Sequence, residues 1–197
     1  MRQKEPVVSN LIDQPGLTVF DEELRLVERA VKGDETAFQS LYRTYYNKVY
    51  AIARGILLDS EEAEDAAQEV FTLAYKNLHR FDRRSKFSTW LFRIAVNRSI
   101  QQGRRQKTRR IHVSLGDDAE QIADTRASDS QSQDPFVEAA MGRLQPVDRA
   151  VLTLFYWDDL NLVEIGESLG CSSNAAKTRL FRARERFKEF YEEGTMQ

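Results

Sequence analysis

The chain has 197 residues, with 29 Lys and Arg against 31 Asp and Glu, a formal net charge of −2 and a pI near 5.8. With 41% hydrophobic and 30% charged residues, it falls among globular proteins and outside the collagenous, mucin-like and wholly disordered classes. The near-neutral total also argues against a uniformly basic nucleic-acid binder.

No stretch reaches the roughly 18 apolar residues of a membrane span, and Met1 to Pro6 is not followed by an apolar signal core, so a cytoplasmic protein without membrane insertion is expected. The single cysteine, Cys171, has no partner for an internal disulfide. His79 and His112 are too few and too scattered for a metal-site signature.

In chain order, residues 1–24 hold Pro6, Pro15 and Gly16 without a sustained period and read as a tail that acquires helix near Phe20. From Asp21 the apolar positions recur at helical steps, first Leu24, Val27, Ala30 and Val31, then Phe38, Leu41, Tyr42, Tyr45, Val49, Ile52, Ala53 and Ile56, with Gly33-Asp34 between the two runs. Asp59 and Ser60 supply N-cap chemistry for a third helix. One of its stripes is apolar (Ala63, Ala67, Val70, Phe71, Ala74); another is polar (Glu61, Asp65, Gln68, Glu69, Thr72). A loop over 80–86 precedes a fourth helix from about Ser88, whose far end is expected to dissolve into the basic run Arg104 to Arg110.

Residues 114–133 are rich in Asp, Ser, Ala and Gln with few large apolar side chains, and read as a flexible acidic linker between two small helical domains, 25–113 and 134–192. The second domain opens at Asp134-Pro135, an N-cap followed by Pro at the first helical position. Two short helices follow. A helix over Leu162 to Leu169 then ends at Gly170, Ser172 or Ser173 caps the next, and that one runs to about Tyr191, which is the helix-turn-helix pattern. The fold class is therefore all-α, with no period-two strand.

Charge is segregated along the chain. Asp59 to Tyr75 carries six acidic and no basic residues, Lys76 to Val113 twelve basic and one acidic, Ser114 to Gly142 one basic and seven acidic, and Cys171 to Tyr191 six basic and two acidic. Two basic blocks separated by an acidic one suggest two contacts with a polyanion.

On the last helix Ala176, Leu180, Ala183 and Phe187 take the packing positions. Asn174, Lys177, Thr178, Phe181, Arg182 and Arg184 are displayed, a set able to meet base edges and phosphates in a major groove. In the larger basic block Phe81, Phe87, Trp90 and Phe92 are interleaved with Arg and Lys, which suits stacking on unpaired bases; core anchoring by the same rings is equally compatible. The acidic stripe Glu61, Asp65, Glu69 reads as a solvated face or a dock for a basic partner. A divalent-metal site there is the lesser alternative. No catalytic constellation is present, so an enzyme is not expected.

Three motifs resemble one family. Residues 63–71 (AEDAAQEVF) resemble the region 2 core-binding helix of bacterial RNA polymerase sigma factors of the small extracytoplasmic-function (ECF) type, within the sigma-70 family. Residues 87–98 (FSTWLFRIAVNR) resemble the segment that melts and reads the minus-ten element, and residues 176–184 (AKTRLFRAR) resemble the region 4 recognition helix for the minus-thirty-five element. With Gly33 to Phe38, the likeness spans about Arg25 to Tyr191.

The resemblance implies that Asp65, Gln68 and Glu69 face the β′ clamp helices of core RNA polymerase, with the β flap as a further polymerase contact. It implies that Phe81, Arg83, Ser85, Lys86, Trp90, Asn97 and Arg98 serve the minus-ten DNA. Asn174, Lys177, Thr178, Phe181 and Arg182 would serve the minus-thirty-five DNA. It further implies promoter DNA as target, control by an anti-sigma factor, no cofactor, and no regulatory domain after region 4. Asn174 and Ala175-Ala176 depart from the commoner Gly and Thr-Val, so the upstream base preference is not carried over. Two rival readings remain at this level: a conventional helix-turn-helix regulator that works without polymerase, and a metal-dependent nuclease built on the acidic stripe.

Overall fold

The computed structural model describes residues 19–114, 134–156 and 160–196. Among the described residues all regular structure is helical: eight α-helices and one 3-10 turn. Most of the tail and of the linker expected from the sequence lie outside them.

Helix α1 (Val19–Val31) begins where the apolar period begins, and Gly33, at φ +92°, turns the chain out of it. Asp34 then caps α2 (Glu35–Leu57), its Oδ1 accepting from the Thr36 and Ala37 amides at 3.0 and 3.2 Å and from the Thr36 hydroxyl at 2.7 Å. The Arg29 side chain donates to its other oxygen at 2.8 Å.

The Thr36 hydroxyl first, then Arg29 and the Ala37 amide, all stabilise the carboxylate and lower the Asp34 pKa from 3.8 to about 2. A depressed carboxyl pKa contributes stability that is present above the unfolded value and is lost as pH falls from near 4 through about 2. NMR titration of the Asp34 carboxyl carbon should therefore give a midpoint near 2. A midpoint near 4 would mean that the cap is open in solution.

Helix α2 buries Ala37, Leu41, Val49, Ile52, Ala53, Ile56 and Leu57 and ends at Leu58 in a left-handed conformation. Asp59 accepts from the Glu62 amide at 3.0 Å and starts α3 (Ser60–Asn77). The buried stripe of α3 includes four alanines, so its backbone approaches α2 and α4 closely. A 3-10 turn (Leu78–Arg80) and a non-helical loop lead into α4 (Phe87–Ser114).

Here the structure departs from expectation: the basic run does not end α4 but forms its last turns. Arg, Gln and Lys are good helix formers, no proline interrupts them, and Gly103 lies under Pro146. At 1.5 Å per residue α4 is about 40 Å long.

In the C-terminal group, Asp134 accepts from the Phe136 amide at 2.9 Å and caps α5 (Pro135–Arg143). Helix α6 (Pro146–Tyr156) follows, then α7 (Leu162–Leu169), which opens on a reciprocal capping box: Asn161 accepts from the Glu164 amide while Glu164 accepts from the Asn161 amide at 3.1 Å. Gly170 closes α7 at φ +65°, and Ser172 caps α8 (Ser173–Thr195), which runs four residues past the expected end at Tyr191.

One continuous apolar core joins both groups. Helices α2, α3 and α4 contribute Leu41, Ile52, Ile56, Val70, Phe87, Leu91 and Val96, and α6, α7 and α8 contribute Val151, Leu154, Ile165 and Leu180.

Candidate nucleic-acid interface

Helix α8 is held to its neighbours on one side. Ala176, Leu180 and Ala183 are buried and Phe187 is half-buried, as their period requires. The Arg186 guanidinium donates to Asp148 of α6 at 2.6 Å, and Arg184 stacks over Phe155 and Tyr156, 4.8 and 5.2 Å from the ring centroids. Toward its C-terminus, Tyr191 donates to Asp134 at 2.9 Å and Arg143 pairs with Glu193 at 2.7 Å.

The turn between α7 and α8 is equally fixed. A Cβ at Gly166 would stand 2.8 Å from the Cys171 carbonyl oxygen, so only glycine lets the two helices meet at this angle.

On the opposite side Asn174, Lys177, Thr178, Phe181 and Arg182 are all exposed, Phe181 at 64%. Their spacing of three and four residues puts them on one face. The Thr178 hydroxyl donates to the Asn174 carbonyl at 3.0 Å, and among the described residues no ion pair engages Lys177 or Arg182. The structure thus separates the basic residues of α8. Arg184 and Arg186, the former expected on the displayed face, fasten the helix, while Lys177 and Arg182 remain available to a groove.

The second basic surface is built on the loop before α4. Phe87 is buried, with its ring 5.7 to 5.9 Å from those of Tyr45, Phe81 and Trp90. The Tyr45 hydroxyl donates to Glu23 of α1, and its burial first, then this hydrogen bond, push its pKa well above the usual phenol value. Four rings thereby pin the loop to α1, α2 and α4.

Phe81, expected at the DNA, is only 8% exposed and packs against Phe87 and Trp90. It backs the loop and offers no open face to a base, because a lone aromatic next to a core helix gains more by burial than by standing in water. Trp90 is half-buried beside it. Arg83, Lys86 and Asn97 are exposed, and Ser85 and Arg98 are intermediate.

Arg83 has φ +61° and its guanidinium pairs with Glu28 at 2.8 Å; Lys86 pairs with Glu164 at 3.6 Å. These acidic partners lie 55 and 78 positions away, and nothing local in the sequence marks them.

On α3 the acidic stripe is exposed throughout, Asp65, Gln68 and Glu69 included. Glu69 accepts from Arg98 of α4, and Glu62 accepts from Gln102. Two residues given to different ligands by the sequence, Glu69 and Arg98, are therefore partners across adjacent helices. Among the described residues no group of three His, Cys, Asp or Glu side chains is arranged to hold a metal, and no helix is long and apolar enough to cross a membrane.

Residues 41–109 match the family described as Sigma-70 region 2, and residues 137–187 match Sigma-70, region 4. The ECF RNA polymerase sigma factor SigW of Bacillus subtilis is 33% identical over 174 residues, which cover 83% of this chain and 93% of that protein. The chain belongs to the ECF sigma factors.

Other relatives agree. The RNA polymerase sigma-H factor of Pseudomonas aeruginosa is 31% identical over 84% of this chain and 91% of its own, and the ECF sigma-E factor of Escherichia coli is 32% identical over 81% and 89%. Two solved structures share the fold at 23% identity each. CnrH in complex with the cytosolic domain of CnrY has a TM-score of 0.65 and covers 87% of this chain and 98% of its own. The sigma factor RpoE in complex with the anti-sigma factor NepR from Bartonella quintana has a TM-score of 0.60 and covers 79% and 96%.

As a sigma factor the chain acts in transcription initiation. The α2–α4 layer falls largely within its region 2, and the α7–turn–α8 unit is the helix-turn-helix of its region 4.

Proposed function

We propose that this sigma factor divides its work among three solvent-facing surfaces. The acidic ridge of α3, with Asp65, Gln68 and Glu69, meets the basic β′ clamp helices of core polymerase. The loop and first turns of α4 take the minus-ten element as unpaired strand, with Arg83, Ser85, Lys86, Asn97 and Arg98 toward the backbone and bases and Trp90 presenting its exposed edge. The face of α8 with Asn174, Lys177, Thr178, Phe181 and Arg182 enters the major groove of the minus-thirty-five element, and region 4 also meets the β flap.

On this reading region 2 comprises 25–113 and region 4 comprises 134–192, joined by 114–133 after a tail over 1–24. The protein works in the cytoplasm and makes or breaks no covalent bond. The observation that carries the proposal is the placement of all five α8 residues on one exposed face, turned away from the buried Ala176, Leu180 and Ala183 of the same helix.

Transcription in vitro with core polymerase tests it. Asp65→Arg should weaken binding to core by at least about tenfold, since a like charge set against a basic partner costs several kcal/mol. Duplex binding by α8 alone should be unchanged. A regulator that ignores polymerase would show no difference from the wild type, and that result would sink the proposal.

Control by an anti-sigma factor is a further part of the reading. It is supported by the fold shared with two proteins whose structures hold CnrY and NepR. Recovery of core polymerase alone from native cells, with no second stoichiometric partner, would remove it.

A further inference from the structure

Helix α1 lies ahead of the segment 41–109 that matches Sigma-70 region 2, and none of the three surfaces proposed above uses it. Val27 seats it on the core, and two half-buried carboxylates, Glu23 and Glu28, flank Val27 on the helix surface. Both reach toward the loop before α4. Glu23 accepts from the Tyr45 hydroxyl, and the Ser88 hydroxyl, in the first turn of α4, bonds the same phenol. Glu28 accepts from Arg83 at 2.8 Å, across 55 positions.

The loop needs such support. Arg83 stands at φ +61°, a left-handed backbone that a residue with a Cβ enters only at a cost. Within the loop the Arg84 amide donates to Asp82 Oδ1 at 3.1 Å, a turn that bridges Arg83, and the Arg84 and Asp82 side chains pair at 3.4 Å in full contact with water. A turn held by exposed groups alone opens readily.

What fixes Arg83 from outside the loop is Glu28. The carboxylate takes Nη1, which leaves Nε and Nη2 of the planar guanidinium for an anion on its open side. A side chain oriented in advance loses less freedom when that anion arrives.

We propose that α1 is a splint for the minus-ten loop, with Glu28 a positioning residue that acts through Arg83 and Glu23 a second that acts through Tyr45. The effect on the strand rests on the minus-ten assignment made above; the bracing of the loop does not.

The loop reports on its own order, because Arg84 and Lys86 are trypsin sites. In the folded full chain, cleavage after them follows the fraction of molecules in which the loop is undone. Glu28→Gln should speed that cleavage about fivefold, the upper worth of a half-exposed ion pair, with the melting temperature unchanged. Tyr45→Phe, which keeps the ring and removes the bond to Glu23, should act by about the same factor. Exchanging the partners, Glu28→Arg with Arg83→Glu, should return the rate to within about twofold of the wild type. Unchanged cleavage in Glu28→Gln, or an exchanged pair cleaved as fast as either single substitution, would overturn the splint.

With core polymerase, Glu28→Gln should slow strand opening, followed by permanganate, about threefold to fivefold. Affinity for core and the footprint on the upstream element should stay at wild type, a split that a general loss of fold would not give. Opening that falls in Lys86→Ala and Trp90→Ala but not in Glu28→Gln would overturn the positioning role. If opening ignored all three substitutions while cleavage responded as stated, the assignment of the loop to the strand would fall and the splint would stand.

Discussion

Replacing Phe87 with Ala is expected to destabilise the protein by about 3–5 kcal/mol, the usual cost of emptying a large aromatic site in a packed core. Phe87 is 1% exposed and touches the rings of Tyr45, Phe81 and Trp90, so no neighbour can collapse into the space without moving α2 or the loop. Urea denaturation measures the loss.

The effect should reach function by a route that stability alone does not explain. Phe81 and Trp90 hold the loop by packing on Phe87, and without it Arg83, Ser85 and Lys86 lose their fixed position. Strand opening at the promoter, followed by permanganate reactivity of unpaired thymines, should fall even at temperatures where circular dichroism shows the helices intact. Phe87→Leu, which refills most of the volume, should restore both. If opening stayed normal in a folded Phe87→Ala protein, the loop would not owe its position to the ring cluster.

The double substitution Lys177→Ala and Arg182→Ala should lower transcription from a minus-thirty-five-dependent promoter by roughly 100-fold or more. A well-placed side chain at a base edge or phosphate is worth about 1–3 kcal/mol, and each 1.4 kcal/mol is tenfold. Both residues stand on the open face of α8, and their removal leaves Ala176, Leu180, Ala183 and the Arg186–Asp148 pair untouched, so the fold and its melting temperature should not change. Arg184→Ala makes the converse control: it removes the stack on Phe155 and Tyr156, so it should lower stability more than it changes base preference. Footprinting of the upstream element across a promoter library distinguishes the two.

What the sequence showed well was chemistry that acts within four residues. The caps at Asp59, Asp134 and Ser172, the left-handed turn at Gly170 and the packing stripe of α8 are all where short-range donor, acceptor and period arguments put them. The exposed α3 stripe and α8 face follow from the same periodicity.

What it concealed depends on partners far along the chain. Gly55 and Gly103 are unremarked glycines until α6 is seen against them, Glu69 and Arg98 pair over 29 positions, and Phe81 in a loop has no period to reveal which way it faces. The basic run after Gly103 carries no apolar period to mark it as helix, yet Arg, Gln and Lys are good helix formers and continue α4 to Ser114.

Trp90, half-buried between Phe81 and Phe87 at the edge of the loop, also gives the protein an optical probe of its own. The chain has only two tryptophans, so with Trp157→Phe the emission comes from this one indole. A base stacking on its exposed edge would quench it, and a loop drawn away from the ring cluster would shift its emission to the red. On the proposed reading, region 2 would therefore report optically, without any label, on the arrival of an unpaired strand.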